Sequence, residues 1–193
     1  MGGVNMNIQL TQKETMFLKD LKSQEEMCIK KYNAYSNQAK DPQLKQLFNE
    51  LEKQEQQHLD SINQLLNGQV PNINQSQGQS QSQSQGQSQS QGQSQQMISA
   101  QGQGQGLQMS SGQQGMQSAT KNSVTFNNNA SDADLCHDLL STEKYVSRNY
   151  DTAIFEFTNT QARELLNHIQ KEEQQHGERI FKYMQQNGMY EAQ

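Results

Sequence analysis

The sequence predicts an all-α fold: a four-helix bundle from two duplicated helical hairpins, joined by a long disordered Gln/Ser/Gly-rich crossover. Three observations carry this. Shifted by 118 residues without a gap, the chain matches itself at 14 of the 53 positions from 14 to 66. Each copy holds apolar residues at alternating steps of four and three, the spacing of a buried helix face. Between the copies, from Ser61 to Thr120, there is no Asp, Glu, Lys or Arg.

The repeat is specific. Asp20-Leu21-x-Ser23-x-Glu25 recurs as Asp138-Leu139-x-Ser141-x-Glu143, Tyr32 as Tyr150, and Glu55-Gln56-Gln57-His58 as Glu173-Gln174-Gln175-His176. An ungapped match of this kind implies duplication of one hairpin. The first helix, about 13–40, ends before Asp41-Pro42, since the residue preceding Pro is pushed out of helical geometry while Asp caps and Pro opens the next helix. The second, about 42–67, stops at Gly68 in a left-handed C-cap. In the second copy Asn159 takes the place of Asp41, so helices run about 131–158 and 160–187, with Gly188 as the stop. The expected organisation is a hairpin at 13–68, a low-complexity linker at 69–129 and a hairpin at 130–188, both hairpins forming one bundle.

Composition explains the linker. The 44 residues from Gln75 to Ser118 hold 19 Gln, 11 Ser and 8 Gly. Such a tract cannot bury enough apolar surface to offset roughly 1–2 kcal/mol of backbone ordering per residue, so a solvated spacer is expected. A helix of about 26 residues is about 39 Å long, and the spacer can run the length of such a bundle.

The net charge is -5 and the isoelectric point about 5.4, which makes nucleic acid or an anionic membrane a poor partner. No apolar run is long enough to span a membrane. The start, Met1 to Gln9, has neither a basic nor an apolar signal region, so no signal peptide and cytosolic synthesis are expected. Cys28 and Cys136 form no Cys-x-x-Cys pair; reduced core thiols are the expectation, with a disulfide left open.

Charged residues interrupt the seams. The first helix gives Leu18, Leu21, Glu25, Cys28, Tyr32, Tyr35 and Ala39; the second gives Leu44, Phe48, Leu51, Glu55, His58, Ile62 and Leu65. The third gives Cys136, Leu139, Glu143, Val146, Tyr150, Ala153 and Phe157; the fourth gives Ala162, Leu166, Ile169, Glu173, His176, Ile180 and Tyr183. Four carboxylates and two imidazoles in one core are costly unless something positive is bound. Two metal ions satisfy the pattern, with one Glu from each of two helices and a Glu-x-x-His from each of the others. Mixed carboxylate and imidazole ligation suits iron or manganese better than structural zinc. The candidate ligands are Glu25, Glu55, His58, Glu143, Glu173 and His176. Tyr32 and Tyr150, two turns beyond Glu25 and Glu143, are placed to donate hydrogen bonds to ligating carboxylates. The alternative is a metal-free bundle in which some carboxylates are protonated or turn to solvent. His137, His168, Glu26, Glu52 and Glu172 lie off the ligand face and read as surface groups; Tyr35 and Tyr183 read as core edges with wet hydroxyls.

The Glu, Glu-x-x-His, Glu, Glu-x-x-His constellation resembles the ferritin-like superfamily, which includes bacterioferritin, rubrerythrin and manganese catalase. The Asp-Leu-x-Ser-x-Glu and Glu-Gln-Gln-His motifs of both halves look like the Coat F domain of spore coat proteins from endospore-forming bacteria. That resemblance implies a ferritin-like bundle with two Fe or Mn ions. It also implies synthesis in the mother-cell cytoplasm, a place in the spore coat and other coat proteins or self-association as partners. It leaves open turnover of peroxide or dioxygen, and a metal-free structural role. Within a coat, the linker Gln residues would suit transglutaminase cross-linking or serve as plain spacer.

Overall fold

Each helix begins on a cap supplied by its own sequence. The computed structural model describes residues 7–71 and 130–190, and among these the helices are α1 Gln12–Gln38, α2 Pro42–Leu66, α3 Asp132–Glu156 and α4 Thr160–Gln186. Thr11 and Glu14 form a reciprocal capping box for α1, and Ser131 and Asp134 do the same for α3. Asp41 accepts from the Gln43 amide with Pro42 behind it, and Asn159 accepts from the Ala162 amide. All four helices end slightly earlier than expected, α1 and α3 by two residues and α2 and α4 by one. Ala39 and Phe157 are extended, which turns the chain into the next helix while both side chains stay buried.

α2 and α4 close alike. The Gly68 amide bonds to Leu65 O and the Gln69 amide to Gln64 O; Gly188 and Met189 repeat this against Gln185 and Met184. These are Schellman caps, and both glycines have positive φ, 76° and 65°. The first cap also holds the segment before α1. Gly68 O accepts from the Ile8 amide at 2.7 Å, and Asn7 forms a bridge with Gln69, so the segment before α1 is tied to the end of α2.

The helices form a square in which α1 packs on α2 and α3, and α4 packs on α3 and α2. Contacts fix the directions. Thr158 bonds Glu14 while Lys40 and Asp41 amides bond Asp132, so α1 and α3 are antiparallel. Tyr183 donates to Asp41 at 2.5 Å and His58 meets Glu172, so α2 and α4 are antiparallel too. α2 and α3 therefore run in the same direction across the diagonal, and the end of α2 lies at the opposite end of the bundle from the start of α3. Both hairpins belong to one compact unit. The linker expected at 69–129 falls outside the described residues from 72 onward.

The core follows the seams. The buried residues of α2 are the seven of its seam, and the seam residues of the other helices are buried as well. Glu14 is also buried, although a lone glutamate in a first turn gave no such sign. It serves both halves: it accepts from Thr11 in its own cap and from the Thr158 amide and hydroxyl across the bundle. The pattern Thr11-x-x-Glu14 was the signal for half of that role. Among the described residues, no helix is long and apolar enough to cross a membrane.

The two C-cap glycines should respond differently to alanine. A Cβ on Gly68 would sit 2.8 Å from Ile8 O, whereas one on Gly188 would meet nothing within 4 Å. Left-handed geometry alone costs roughly 1–2 kcal/mol for a residue with a Cβ. Gly68→Ala should therefore lower the denaturation midpoint clearly more than Gly188→Ala; equal shifts would show that the clash with Ile8 is relieved at no cost.

Candidate metal centre

At mid-height the seams bring six polar side chains together with almost no solvent contact. Glu25, Glu55 and Glu173 are fully buried, and Glu143, His58 and His176 nearly so. The three-residue step in Glu55-x-x-His58 and Glu173-x-x-His176 puts each pair on one helix face. Because α2 and α4 are antiparallel neighbours, the pairs meet reciprocally. His58 Nδ1 lies 2.8 Å from Glu173 Oε1, and His176 Nδ1 lies 2.7 Å from Glu55 Oε1. The two imidazoles stack nearly parallel, 14° apart, with centroids separated by 5.4 Å. Ligand atoms of Glu55, His58, Glu173 and His176 all lie within 4.8 Å of one another, a group that could hold a metal ion.

Glu25 and Glu143 complete the ring from the opposite helix pair. Glu25 Oε2 is 3.8 Å from His58 Nδ1, and Glu143 Oε2 is 3.8 Å from His176 Nδ1. Their other oxygens accept from tyrosines across the bundle: Tyr32 donates to Glu143, and Tyr150 to Glu25. Each tyrosine thus serves the carboxylate of the opposite hairpin, not the one on its own helix.

The sites outside the ring depart from the sequence reading. Glu172, expected in solvent, is only about one-third exposed, and its Oε2 lies 3.0 Å from His58 Nε2. His168, expected at the surface, is mostly buried, with Nε2 3.5 Å from Glu172 Oε1. The physical reason for Glu172 is its partner across the bundle, His58 of α2, and Glu172 in turn lies beside His168 one turn earlier on α4. Position 54, the counterpart of 172 in the first copy, is Gln, and Arg179 donates to it. That Glu-for-Gln difference beside the motif was the readable signal. His137 is exposed, as its position off the seam implies, and Glu26 and Glu52 are half-buried. The Tyr35 and Tyr183 hydroxyls are not simply wet: they donate to Asp138 and Asp41. Both cysteines are free and buried.

The ring is poorly satisfied by protein alone. Glu25 Oε2, Glu55 Oε2, Glu143 Oε2, both oxygens of Glu173 and His58 Nδ1 are buried without a hydrogen-bond partner. His58 Nδ1 and Glu173 Oε1 are close but misaligned for a hydrogen bond. Orphaned carboxylate oxygens converging on two imidazoles are the donor set that a divalent or trivalent cation satisfies, so these residues fit bound metal.

Family comparisons divide along the hairpins. Residues 17–90 match the family model Rubrerythrin, and residues 131–193 match the Coat F domain. The bundle is ferritin-like. No curated protein and no solved structure matches the chain.

In this ferritin-like core, burial sets the protonation. Burial first, then the charge of Glu55, holds the Glu25 carboxyl well above its usual range. Burial and Glu173 do the same to Glu143, and burial and Glu143 raise Glu55. Glu173 is pushed up to about 7 by burial and by Glu55 and Glu25. Burial opposes protonation of His58, but the hydrogen bond to Glu172 and the nearby Glu173 and Glu55 carboxylates outweigh it and raise the imidazole; His176 is lowered, chiefly by burial. Burial, reinforced by the four carboxylates, keeps the Cys28 thiol protonated.

The sign for stability follows. A carboxyl raised in the folded state holds a proton that the unfolded chain releases near its ordinary value of 4.5. Folded chelator-treated protein therefore binds more protons than unfolded across the interval from 4.5 to about 7, and its stability should fall as pH rises through it, by about 1.4 kcal/mol per pH unit for each proton held. His58 adds to this trend and His176 opposes it. Urea denaturation of chelator-treated protein at several pH values tests the balance; a midpoint that rises steadily from pH ~5 to ~7 contradicts it.

Proposed function

We propose that the chain is a spore-coat-associated ferritin-like protein holding a carboxylate and histidine dimetal centre of iron or manganese. The observation that carries the reading is the set of buried, unpartnered ring atoms on Glu25, Glu55, His58, Glu143 and Glu173. Glu25, Glu55 and His58 from one hairpin and Glu143, Glu173 and His176 from the other would hold the ions. The duplication supports two ions, one per half-ring. The match to the Coat F domain supports the coat setting, with synthesis in the mother-cell cytoplasm and other coat proteins or further copies of this chain as partners.

Bound iron or manganese supplies redox and Lewis-acid chemistry. The chain's own residues do the rest. Tyr32 and Tyr150 hold the Glu143 and Glu25 carboxylates in place, and Glu172 fixes the His58 ring through Nε2. The apolar seam above and below the ring excludes water. A second reading, an oxidoreductase acting on peroxide or dioxygen, is favoured by the Rubrerythrin match over the first hairpin. It is compatible with the first, since a coat protein that consumes peroxide would protect the spore.

Metal analysis of the purified chain should find about two Fe or Mn per molecule. Glu55→Ala combined with Glu173→Ala should reduce that to traces while the far-ultraviolet helix signal persists. Traces in the unaltered chain after expression in iron- and manganese-supplemented medium would leave a metal-free structural coat protein as the answer.

A further inference from the structure

Gly177 follows His176 at mid-height of α4, where the first copy carries Leu59. A glycine inside a helix costs about 0.5–1 kcal/mol relative to alanine. Packing does not demand it here, since a Cβ would rest 3.6 Å from both Glu143 Cβ and Leu140 Cδ1, an ordinary contact distance. What the absent side chain leaves is space. A groove of about 640 Å³ passes over Gly177 between α3 and α4, and it is lined by Glu143 and Glu173. These residues carry three of the orphaned buried oxygens of the ring. The groove therefore borders two ring residues, themselves buried, where the second copy lacks the leucine of the first.

The mouth of the groove is positive. Lys144 and Arg148 line it and are exposed, and neither side chain has an ion pair among the described residues. Glu178 also lines it, but its carboxylate is paired with Lys182 at 2.6 Å. The first copy has Glu26 at the position of Lys144 but Lys30 at that of Arg148, so of the two cations only Lys144 is particular to the second hairpin. Phe181 and Tyr190, in edge contact at 4.9 Å, wall the groove.

We propose that this groove is the port through which small anions of a few heavy atoms, of the azide or hydroperoxide class, reach the buried carboxylate and imidazole ring, with Gly177 keeping it open. The proposal rests on the dimetal reading, because an anion entering a ring of carboxylates needs a cation as its destination. Positive charge at the mouth raises the local anion concentration and repels cations; the missing side chain provides the passage.

The test uses the full chain loaded with iron, with azide association followed by stopped-flow absorbance. Gly177→Leu, which restores the side chain of the first copy, should lose most of the azide rate at unchanged iron content, whereas Gly177→Ala should lose little. Lys144→Gln with Arg148→Gln should slow azide about tenfold at low ionic strength while leaving the association of neutral nitric oxide with the ferrous form unchanged. These two positions are exposed, so the charge arm survives if Gly177→Leu disturbs folding. Full iron content with azide rates unchanged in all variants overturns the port and leaves the metal centre standing. If the unaltered chain takes up no iron, the dimetal reading fails, and iodide soaked into crystals of the chelator-treated chain decides the groove. Iodide beside Gly177 that disappears in Gly177→Leu keeps it as an anion site; no iodide there overturns it.

Discussion

Four carboxylates held together in a dry bundle core constrain everything else in this molecule. Burying one unpaired ion costs several kcal/mol even after relaxation, and like charges a few ångströms apart add to that. The fold meets the constraint by reciprocity. His58 faces Glu173 while His176 faces Glu55, and Tyr32 serves Glu143 while Tyr150 serves Glu25. Each of these pairs crosses from one hairpin to the other, so neither hairpin can satisfy its own half of the ring. The orphaned oxygens that remain after all these pairings are the residue of the problem, and a cation is the simplest group that completes them.

Inside the ring the two halves are near copies; just outside it they differ. Glu172 backs His58 where the first copy has Gln54, Gly177 stands where it has Leu59, and Lys144 where it has Glu26. On the inner face Cys28 corresponds to Val146. Duplication yields a symmetric ligand set, and later divergence is tolerated where residues do not touch their symmetry mates. A carboxylate on one imidazole makes that ring a stronger donor than its partner. The two half-rings therefore offer unequal environments.

How much of this was legible follows from what each signal measures. Seam periodicity reports which side chains face inward, and it placed Leu44 to Leu65 of α2 and the six ring residues correctly in the core. It says nothing about flanks, so Glu172 and His168 read as solvent groups although Glu172 meets His58 across the bundle and His168 lies beside Glu172. Local spacing placed Tyr32 near Glu25, yet its hydroxyl reaches Glu143, because the partner is chosen by the antiparallel pairing of α1 and α3 and not by position along one helix. Glu14 was invisible as a core residue for the same reason: its second set of partners, at Thr158, is 144 residues away. Interactions within one helix turn are written in the sequence, while those set by docking have to be seen.

Docking itself is held in register by the charged ring. Helix seams of Leu, Ile and Phe tolerate sliding, since one apolar contact replaces another at small cost. A slip of one turn between the hairpins, about 5.4 Å, would break both tyrosine–carboxylate bonds and both histidine–glutamate pairs together and bury each carboxylate against an apolar side chain. Breaking a single buried pair of this kind costs about 3–5 kcal/mol, so the slipped arrangement is strongly disfavoured. The covalent connection from α2 to α3 then makes this docking intramolecular, which raises the effective concentration of each hairpin for the other. A separate hairpin would have to find a second copy to build the same ring, and could at best build a symmetric one. Joining the copies in one chain is what permits Glu172, Gly177 and Lys144 to differ from their counterparts, and so permits one imidazole of the ring to be braced on a carboxylate that only one copy supplies.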